Sequence, residues 1–216
     1  KMSDFFLELF SEEIPSNLQK SARNQLLQSF NDFFRKENII LKKQGKTFST
    51  PNRLVVFFDG VNSEIFQKSE EIKGPNINAP EKALSGFIKS NRIKKENLYK
   101  KNTEKGEFYY FKKPSEKIKT IDLLNKNIPI ILEKVLWKKS MKWGDFDLYW
   151  GRPLKSILAI FDKTKLKFSF HHLQSSNVTY LDKYFEGKTK VFNNYKSYEK
   201  YFKKINVIID QDVRRK

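Results

Sequence analysis

The sequence predicts an α+β fold, with mixed or antiparallel sheets against which helices pack. Strand-like and helix-like segments follow one another without the regular strand–helix–strand alternation of a doubly wound sheet. The chain of 216 residues is 38% hydrophobic and 15% aromatic, which predicts a packed core rather than disorder. We expect one region over residues 3–216, or alternatively two lobes over about 3–115 and 116–216.

The first part of the chain predicts a strand, a long helix and a strand pair. Residues 4–10, "DFFLELF", are short, aromatic and strand-like. Apolar side chains recur at helical spacing over residues 16–36, and Ser16 stands where an N-cap is expected. Residues 46–60 are typical of a strand, a Pro-Asn turn and a second strand.

The rest of the chain continues the mixture of helices and strands. Pro80 suits the first turn of a helix, and residues 97–113 predict a hairpin. Residues 120–136 predict a helix with a kink at Pro129. "LKSILAIFD" and "KLKFSFHH" predict paired strands around "DKTK". Near the end, "SYEKYFKKI" predicts a short helix and "NVIID" predicts a strand.

The chain carries a large excess of positive charge. Lys and Arg number 43 against 25 Asp and Glu, which gives a net charge of +18. Such an excess favours binding to a polyanion, with RNA as the natural candidate. The alternative is compositional drift in an AT-rich genome, because Phe, Ile, Asn and Lys are plentiful while Gly and Pro are scarce. Composition alone leaves both explanations open.

Composition also excludes several kinds of protein. The chain has no Cys, which excludes disulfide frameworks, cysteine-bound zinc and thiol catalysis and fits a cytoplasmic protein. The longest apolar runs, such as "LVVFF" and "SILAIF", have the length of strands, so we expect no membrane span. The first residues lack the pattern of a secretory signal.

No stretch predicts a catalytic or cofactor site. Neither a G-x-G-x-x-G sequence nor a Walker A sequence is present. His171 and His172 are adjacent on a predicted strand and so point to opposite faces, which disfavours a shared metal ion. Catalysis by carboxylates would call on Glu8, Glu12 and Glu13. We interpret Glu8 instead as part of a polar strand face, and the other two as charges placed before a helix.

Three turns place cations beside proline. "TPNR" presents Arg53, "KGP" presents Lys73, and "SMKWGDFDLYWGRP" holds Lys142 and Arg152 near two tryptophans. Such turns can direct a cation toward a phosphate, although a solvated cation is the simpler alternative. Trp can stack on an unpaired base but is more often a core residue, and both interpretations stay open.

Five segments resemble a known family when they are taken in order. "FFLELFSEEIPSNLQ", "TFSTPNRLVV", "KGPNINAPEKALSGF", "WKKSMKWG" and "WGRPLKSILAIFD" together resemble the N-terminal part of the β subunit of bacterial glycyl-tRNA synthetase, the α2β2 glycine–tRNA ligase. The similarity runs from about residue 3 to the end, so we expect an N-terminal fragment. The residues that carry the motifs are Glu12, Glu13, Pro15, Pro51, Gly74, Pro75, Trp143, Trp150 and Pro153.

Two segments depart from the family's pattern. The family's "TPRR" turn is "TPNR" here, so only Arg53 carries over from that pair. The family commonly has a "GHRF"-like segment after "N-x-T", where this chain has "NVTYLDKYF". Asp182 cannot do the chemistry of a histidine at that place, whereas Lys183 keeps a cation there.

The resemblance implies a division of labour between subunits. The α subunit makes glycyl-adenylate from glycine and ATP with Mg2+, and the holoenzyme joins glycine to tRNA-Gly. The β subunit supports tRNA recognition and assembly, with the α subunit, a second β subunit and tRNA-Gly as partners. HD-like and anticodon-binding parts are expected outside this chain. The region also looks similar in arrangement to the B3/B4 portion of the phenylalanyl-tRNA synthetase β subunit.

On this resemblance we predict a non-catalytic region that contacts tRNA. The candidate tRNA contacts are Arg53, Lys73, Lys142, Arg152 and Lys183. ATP and Mg2+ are expected in the α subunit, and no cofactor or metal is expected in this chain. Two alternatives remain: a structural module that docks the α subunit, and an editing-type hydrolase by analogy with B3/B4.

Overall fold

The computed structural model describes residues 1–138, 148–181 and 187–216, together with the backbone of residues 141–142. This part of the chain forms two compact units. Unit 1 comprises Lys1–Ile65 and Lys119–Lys216, and unit 2 comprises Phe66–Ile118. In the sequence, unit 2 is therefore an insertion into unit 1. The division into lobes at about residue 115 stays a prediction.

Helices and strands are mixed irregularly along the described residues. The strands are β1 (Met2–Ser11), β2 (Lys46–Thr50), β3 (Arg53–Asn62), β4 (Glu64–Gln67), β5 (Glu70–Asn76), β6 (Leu98–Thr103), β7 (Gly106–Lys113), β8 (Glu116–Lys119), β9 (Met141–Lys142), β10 (Tyr149–Trp150), β11 (Leu154–Phe161), β12 (Thr164–Lys165), β13 (Ser169–Phe170), β14 (Leu173–Ser176), β15 (Val178–Tyr180) and β16 (Thr189–Val191). The helices are α1 (Ser16–Lys36), α2 (Glu81–Asn91), α3 (Thr120–Glu133), α4 (Tyr195–Lys204) and α5 (Gln211–Arg214), with a 3-10 turn at Lys95–Asn97. The predicted α+β class is confirmed, while the likeness to the B3/B4 portion stays a prediction.

A seven-stranded sheet forms the centre of unit 1. Its order is β13-β14-β11-β1-β3-β2, and β12 also pairs with β11. β1 lies in the middle and pairs antiparallel with both β3 and β11, whereas β14 pairs with β11 in parallel. Because "FFLELF" is apolar at nearly every position, β1 suits a strand that is covered on both faces.

One face of the central sheet is covered by α1 and α3. Phe5 and Leu9 of β1 point to this face, where the Phe5 ring lies 5.1 Å from the Phe30 ring of α1. Leu124 and Ile128 of α3 complete the same cluster. The apolar side chains of α1 thus lie on one face, as their helical spacing predicts. The helix begins and ends at the predicted residues.

The opposite face of the sheet is covered by α4 and the chain around it. The Phe6 ring of β1 lies 4.7 Å from the Tyr198 ring, and Phe202 belongs to the same buried cluster. Asn194 caps α4, because its side chain accepts a hydrogen bond from the backbone N–H of Ser197 at 2.8 Å. The central strands are therefore shielded from solvent on both sides.

Unit 2 is a three-stranded antiparallel sheet, β5-β7-β6, with α2 against one face. β6 and β7 form the hairpin predicted over residues 97–113, and Gly106 turns the chain with a φ of +107°. The Phe87 ring of α2 packs 5.9 Å from the Phe111 ring. A Cβ at Gly74 would lie 2.8 Å from Phe87, so glycine allows helix and sheet to approach closely.

The predicted N-cap of α1 and the predicted pairing after β11 need correction. Pro15 occupies the N-cap position and Ser16 is the first helical residue, without a side-chain cap. Pro15 suits the place because its extended backbone leads into a helix whose first N–H groups have no internal partner. Of "KLKFSFHH", only Lys165 belongs to the pairing with β11, and Ser169–Phe170 pairs with β14 instead.

The strand predicted for "NVIID" is also wrong. Residues 206–210 form no strand; Ile209 is buried in the cluster under α4. The side chain of Asp210 caps α5 by accepting a hydrogen bond from the N–H of Asp212 at 2.8 Å. An apolar run of this length gains its burial against the sheet face without joining a sheet edge.

Candidate functional site

Three motif-bearing loops of unit 1 come together at one end of the central sheet. They are residues 11–15 ("SEEIP"), 50–53 ("TPNR") and 150–153 ("WGRP"), which we call the motif rim. Backbone N–H groups donate to backbone carbonyls across it: Ser11 to Asn52 (2.9 Å), Glu12 to Pro153 (3.0 Å) and Ile14 to Pro51 (2.7 Å). Segments that are remote in sequence therefore build a single edge.

Arg152 ties two loops of the motif rim together. Its Nε donates to the carbonyl of Glu13 at 3.1 Å, and its Nη1 donates to the carbonyl of Gly151 at 3.4 Å. Beside it, Lys155 Nζ lies 3.2 Å from Glu12 Oε1. The half-buried Arg152 thus has a structural task and still reaches the surface, and its tRNA contact stays a prediction.

Arg53, the last residue of "TPNR", points into unit 1, where its side chain is 6% exposed. Its Nε donates to Glu8 Oε2 at 3.2 Å, and its Nη2 donates to the carbonyl of Tyr180. The guanidinium carbon lies 4.6 Å from the centre of the Phe10 ring and 4.5 Å from that of Phe202. The tRNA contact of Arg53 stays a prediction, and this burial weighs against it.

Glu8 is the centre of this buried cluster. Besides Arg53, the hydroxyls of Thr179 and Tyr198 donate to its carboxylate, which is fully buried. The interpretation of Glu8 as part of a polar strand face is therefore wrong, because Thr179 and Tyr198 lie over that face. A carboxylate closed off from solvent by these partners is suited to hold elements together rather than to meet a substrate.

Burial decides the protonation behaviour of the cluster. It raises the pKa of the Glu8 carboxyl, while the charge of Arg53 and the hydrogen bonds from Thr179, Tyr198 and Arg53 act in the opposite direction. Burial also raises the pKa of the Tyr198 hydroxyl, with the charge of Glu8 adding to the shift. Tyr198 therefore remains a hydrogen-bond donor at neutral pH.

Lys73 lies on the sheet face of unit 2 opposite α2. It is exposed, and its Nζ lies 3.6 Å from the centre of the Phe108 ring. On the same face, Glu71 accepts hydrogen bonds from Lys101 Nζ at 2.7 Å and from the Tyr99 hydroxyl. The bond to Glu71 raises the pKa of Tyr99 to about 12. This face therefore combines cations with aromatic rings at the surface.

The family described as glycyl-tRNA synthetase β subunit matches residues 5–216 of this chain. The match includes both units and all the loops of the motif rim. This chain belongs to that family. The resemblance drawn from five ordered segments is confirmed.

Curated relatives carry the same family name. The glycine–tRNA ligase β subunits of Rickettsia prowazekii (strain Madrid E) and Rickettsia conorii (strain ATCC VR-613 / Malish 7) are 37% and 36% identical over 210 and 213 residues. These alignments cover 97% and 99% of this chain but 31% and 32% of the relatives. The chain thus spans about a third of the length of these glycine–tRNA ligase β subunits.

The tryptophan segment that helped to identify the family is described only in part. Trp150 is buried, with its ring 5.0 Å from that of Trp137 and 5.9 Å from that of Phe170, so it packs in the core. The predictions for Trp143, for Lys183 and for the side chain of Lys142 lie outside the described residues.

A basic helix face of this family member was missed in the sequence. Four exposed lysines of α4 form it, and we call them the lysine face: Lys196, Lys200, Lys203 and Lys204. Their spacing places them on one side of the helix, while Tyr198 and Phe202 point into the core. No ion pair is formed by these lysines within the described part of the chain. The signal was the i, i+4, i+7, i+8 spacing in "YKSYEKYFKK".

The described residues contain neither a membrane-spanning helix nor a cluster of metal ligands. In residues 1–138, 148–181 and 187–216, no helix is long and apolar enough to cross a membrane. These same ranges contain no group of three or more His, Cys, Asp or Glu side chains placed to hold a metal ion. His171 lies instead beside Glu133, with Nε2 2.8 Å from Oε2.

Proposed function

We propose that this chain is the N-terminal, tRNA-binding part of a glycine–tRNA ligase β subunit without an active site of its own. In the complete enzyme, the α subunit carries the chemistry of glycine, ATP and Mg2+. The β subunit brings tRNA-Gly to that site, in a cytoplasmic assembly of two α and two β subunits. No cofactor is expected in this chain. The names of the relatives support the assignment to glycine–tRNA ligase, and the distribution of charge supports a role in tRNA binding.

The uneven distribution of charge is the observation that carries the proposal. Residues 1–65 hold nine Lys and Arg against eight Asp and Glu, a net charge of +1. Residues 66–118 reach +6 over 53 residues, and residues 187–216 reach +6 over 30 residues. Compositional drift would spread lysine evenly along the chain, so it does not account for this clustering. Contact with a polyanion at two surfaces accounts for the clustering.

The exposed face of unit 2 offers one such surface. Lys73 and Lys101 project from it beside the rings of Phe108 and Tyr99. Ammonium groups neutralise RNA phosphates, and aromatic rings give unpaired bases a surface on which to stack. In the described part of the chain, Lys73 and Arg152 are the predicted tRNA contacts whose side chains reach solvent. We retain both as proposed tRNA contacts.

The mechanism is positional rather than chemical. Binding phosphates along the tRNA holds its acceptor end near the active site of another subunit, which turns an encounter in solution into an oriented reaction. The released counterions make this binding weaken as salt rises. The closed environment of Glu8 supports a non-catalytic role over an editing hydrolase, because an ester bond could not reach that carboxylate.

Charge removal in the assembled enzyme tests the proposal. In a Lys73→Gln/Lys101→Gln variant, we expect a raised KM for tRNA and a salt dependence of log Kd that is less steep by about one per lost phosphate contact. Glycyl-adenylate formation, followed by pyrophosphate exchange, should be unchanged. The control is Lys43→Gln, which removes an exposed lysine from the near-neutral first segment.

One outcome contradicts the proposal. If the unit 2 variant, an Arg152→Gln variant and a variant that replaces the exposed lysines of residues 187–216 with Gln all keep the wild-type KM and salt slope while remaining folded, the charge is not a tRNA surface. The structural alternative then accounts for the region. If the Lys43→Gln control shifts the KM as much as the unit 2 variant, only the total charge matters and no surface has been located.

Exposed apolar side chains favour subunit docking as a second function. Ile130 and Leu136, at the end of α3 and just after it, are 47% and 78% exposed. Ile130 lines an open groove together with Pro129 and Phe170. A Leu136→Lys variant should weaken association of the α and β subunits in sedimentation experiments, whereas Ile40→Lys, at a residue 61% exposed elsewhere, should not. Equal association of the two variants would remove this candidate.

A further inference from the structure

The lysine face of α4 is a rigid line of positive charge. From Lys196 to Lys204 the helix rises about 12 Å at about 1.5 Å per residue. The helix cannot turn these lysines away, because Tyr198 and Phe202 anchor its opposite side in the core under the sheet. The backbone positions of the four lysines are thus set by a buried surface rather than by a flexible loop.

Within the described part of the chain, the lysine face forms no ion pair. The acidic residue of α4 is Glu199, which stands three residues after Lys196 and four before Lys203 and accepts a hydrogen bond from the Tyr195 hydroxyl at 3.3 Å. On α1, by contrast, Arg35 lies 3.4 Å from Asp32 on the same helix surface. With four lysines against one glutamate, α4 therefore carries a net charge of +3.

Folding alone does not account for this arrangement. Lysines four apart, such as Lys196 with Lys200, repel each other and destabilise an isolated helix. The helix dipole favours Lys203 and Lys204 in the last turn, but it disfavours Lys196 in the first. A line of lysines that includes the unfavourable end of the helix indicates a partner that supplies negative charge along its whole length.

The lysine face is suited to phosphates and not to bases. The rings of Tyr195, Tyr198 and Phe202 are buried under α4. Tyr201 is half-buried, and Lys190 of β16 lies over it, with Nζ 4.7 Å from the ring centre. Lys190 therefore adds a cation beside the helix. Among the residues that the structure describes here, the surface offers ammonium groups without an exposed ring on which a base could stack.

We propose that the lysine face, together with Lys190, binds the phosphate backbone of a base-paired RNA stem. The inference rests on the proposed function, because tRNA is the polyanion which that function supplies. In a stem the bases are stacked inside, and what remains on the surface is a rigid array of phosphates that a rigid line of ammonium groups can neutralise. Such contacts position the tRNA without reading its sequence.

A fourfold variant in the assembled enzyme tests this assignment. Gln replaces each lysine of the face (K196Q, K200Q, K203Q and K204Q), which keeps helix propensity and removes the charge. The matched control carries four equal changes at exposed lysines elsewhere in unit 1: K134Q, K163Q, K165Q and K167Q. The Kd for tRNA-Gly and for a short RNA hairpin is measured from low to moderate salt, with an unstructured oligonucleotide as comparison.

The slope of log Kd against log salt separates the outcomes. For the hairpin and the tRNA, we expect the fourfold α4 variant to lower this slope by roughly 2 to 4, since each lost phosphate contact removes up to about 0.9. The control should change it by less than about 1. Circular dichroism and thermal melting should show an α4 variant as stable as the wild type, because like-charge repulsion has been removed.

Four results would overturn the assignment. Equal slopes for the α4 variant and its control would show a general effect of charge. A change seen with the unstructured oligonucleotide but not with the hairpin would refute the choice of a stem. If the α4 variant binds like the wild type while the unit 2 variant binds more weakly, the lysine face fails and the proposed function stands. If neither variant weakens tRNA binding, both fall.

Discussion

Replacing Glu8 with Gln should be among the most damaging single changes in unit 1. The substitution keeps the size of the side chain but removes the negative charge that balances Arg53, whose side chain is 6% exposed. Arg53 would keep the carbonyl of Tyr180 and two aromatic rings, none of which carries a charge. Removing one partner of a buried ion pair typically costs about 3 to 5 kcal/mol.

The magnitude can be compared with the stability of an ordinary domain. Net free energies of unfolding are roughly 5 to 15 kcal/mol, so the Glu8→Gln variant should lose a large fraction of its stability. At about 2 to 4 °C per kcal/mol for a chain of this size, Tm should fall by roughly 6 to 20 °C. Urea unfolding at neutral pH, followed by circular dichroism, measures the change directly.

A surface ion pair provides the control. Glu12 Oε1 lies 3.2 Å from Lys155 Nζ, with both side chains partly exposed, so Glu12→Gln should cost less than about 1 kcal/mol. The reasoning fails if Glu8→Gln also costs less than about 1 kcal/mol. That result would mean that Arg53 finds water or another anion, and that the cluster is not closed in solution.

Three further predictions follow from other contacts. Arg53→Met removes the charge that lowers the pKa of Glu8, so the pKa of Glu8 should rise further. The folded state of this variant then holds the Glu8 proton more tightly than the unfolded state does. Its free energy of unfolding should therefore fall as pH rises above the ordinary pKa of the carboxyl. Urea titrations at pH 5 and pH 8 should show the larger loss relative to wild type at pH 8, and equal losses would contradict the assigned cause. A Cβ at Gly151 would lie 2.3 Å from the Trp137 ring, so Gly151→Ala should cost about 1 to 3 kcal/mol in thermal unfolding, whereas Gly86→Ala, with open space in α2, should gain about 0.5 to 1 kcal/mol. The pKa of Tyr99, about 12, should return toward the ordinary tyrosine value in a Glu71→Gln variant when followed by ultraviolet absorbance, and an unchanged value would show that the hydrogen bond is absent in solution.

Local patterns were sufficient to predict much of the fold. The stripe from Leu18 to Phe33 fixes α1, because side chains that recur at helical spacing must share one face. The hairpin over residues 97–113 follows from two strand-like runs that flank a glycine turn. Each of these elements depends on interactions between residues that are close in the sequence, so a local pattern is enough to predict it.

Contacts between distant residues could not be predicted in the same way. Glu8 looks like a polar position on an exposed strand face, since Leu7 and Leu9 flank it. Its partners Arg53 and Tyr198 stand 45 and 190 residues away. Only the assembled sheet and α4 show that this face is covered. The same holds for the motif rim, because no local pattern indicates that its three loops share an edge.

The lysine face was not predicted for a different reason. Its spacing is visible in "YKSYEKYFKK", where a helix is predicted. Nevertheless, cations beside proline turns, rather than these lysines, are the ones predicted to contact tRNA. Pattern alone does not rank these alternatives, since a turn arginine and a helical lysine carry the same charge. Burial ranks them: Arg53 is enclosed by protein groups, whereas the four lysines of α4 are exposed and lack ion-pair partners in the described part of the chain.

The motifs that identify the family and the surfaces proposed for RNA therefore differ in location. In unit 1, "SEEIP", "TPNR" and "WGRP" are joined by backbone hydrogen bonds and by the side chain of Arg152. Arg53 of "TPNR" is held by a buried ion pair with Glu8 of β1, and all these interactions require defined residues at defined distances. Binding to a phosphate backbone requires only positive charge held on a rigid support. An RNA surface can thus lie on a helix that carries no recognisable motif, and α4 meets that requirement through its buried tyrosines and its exposed lysines.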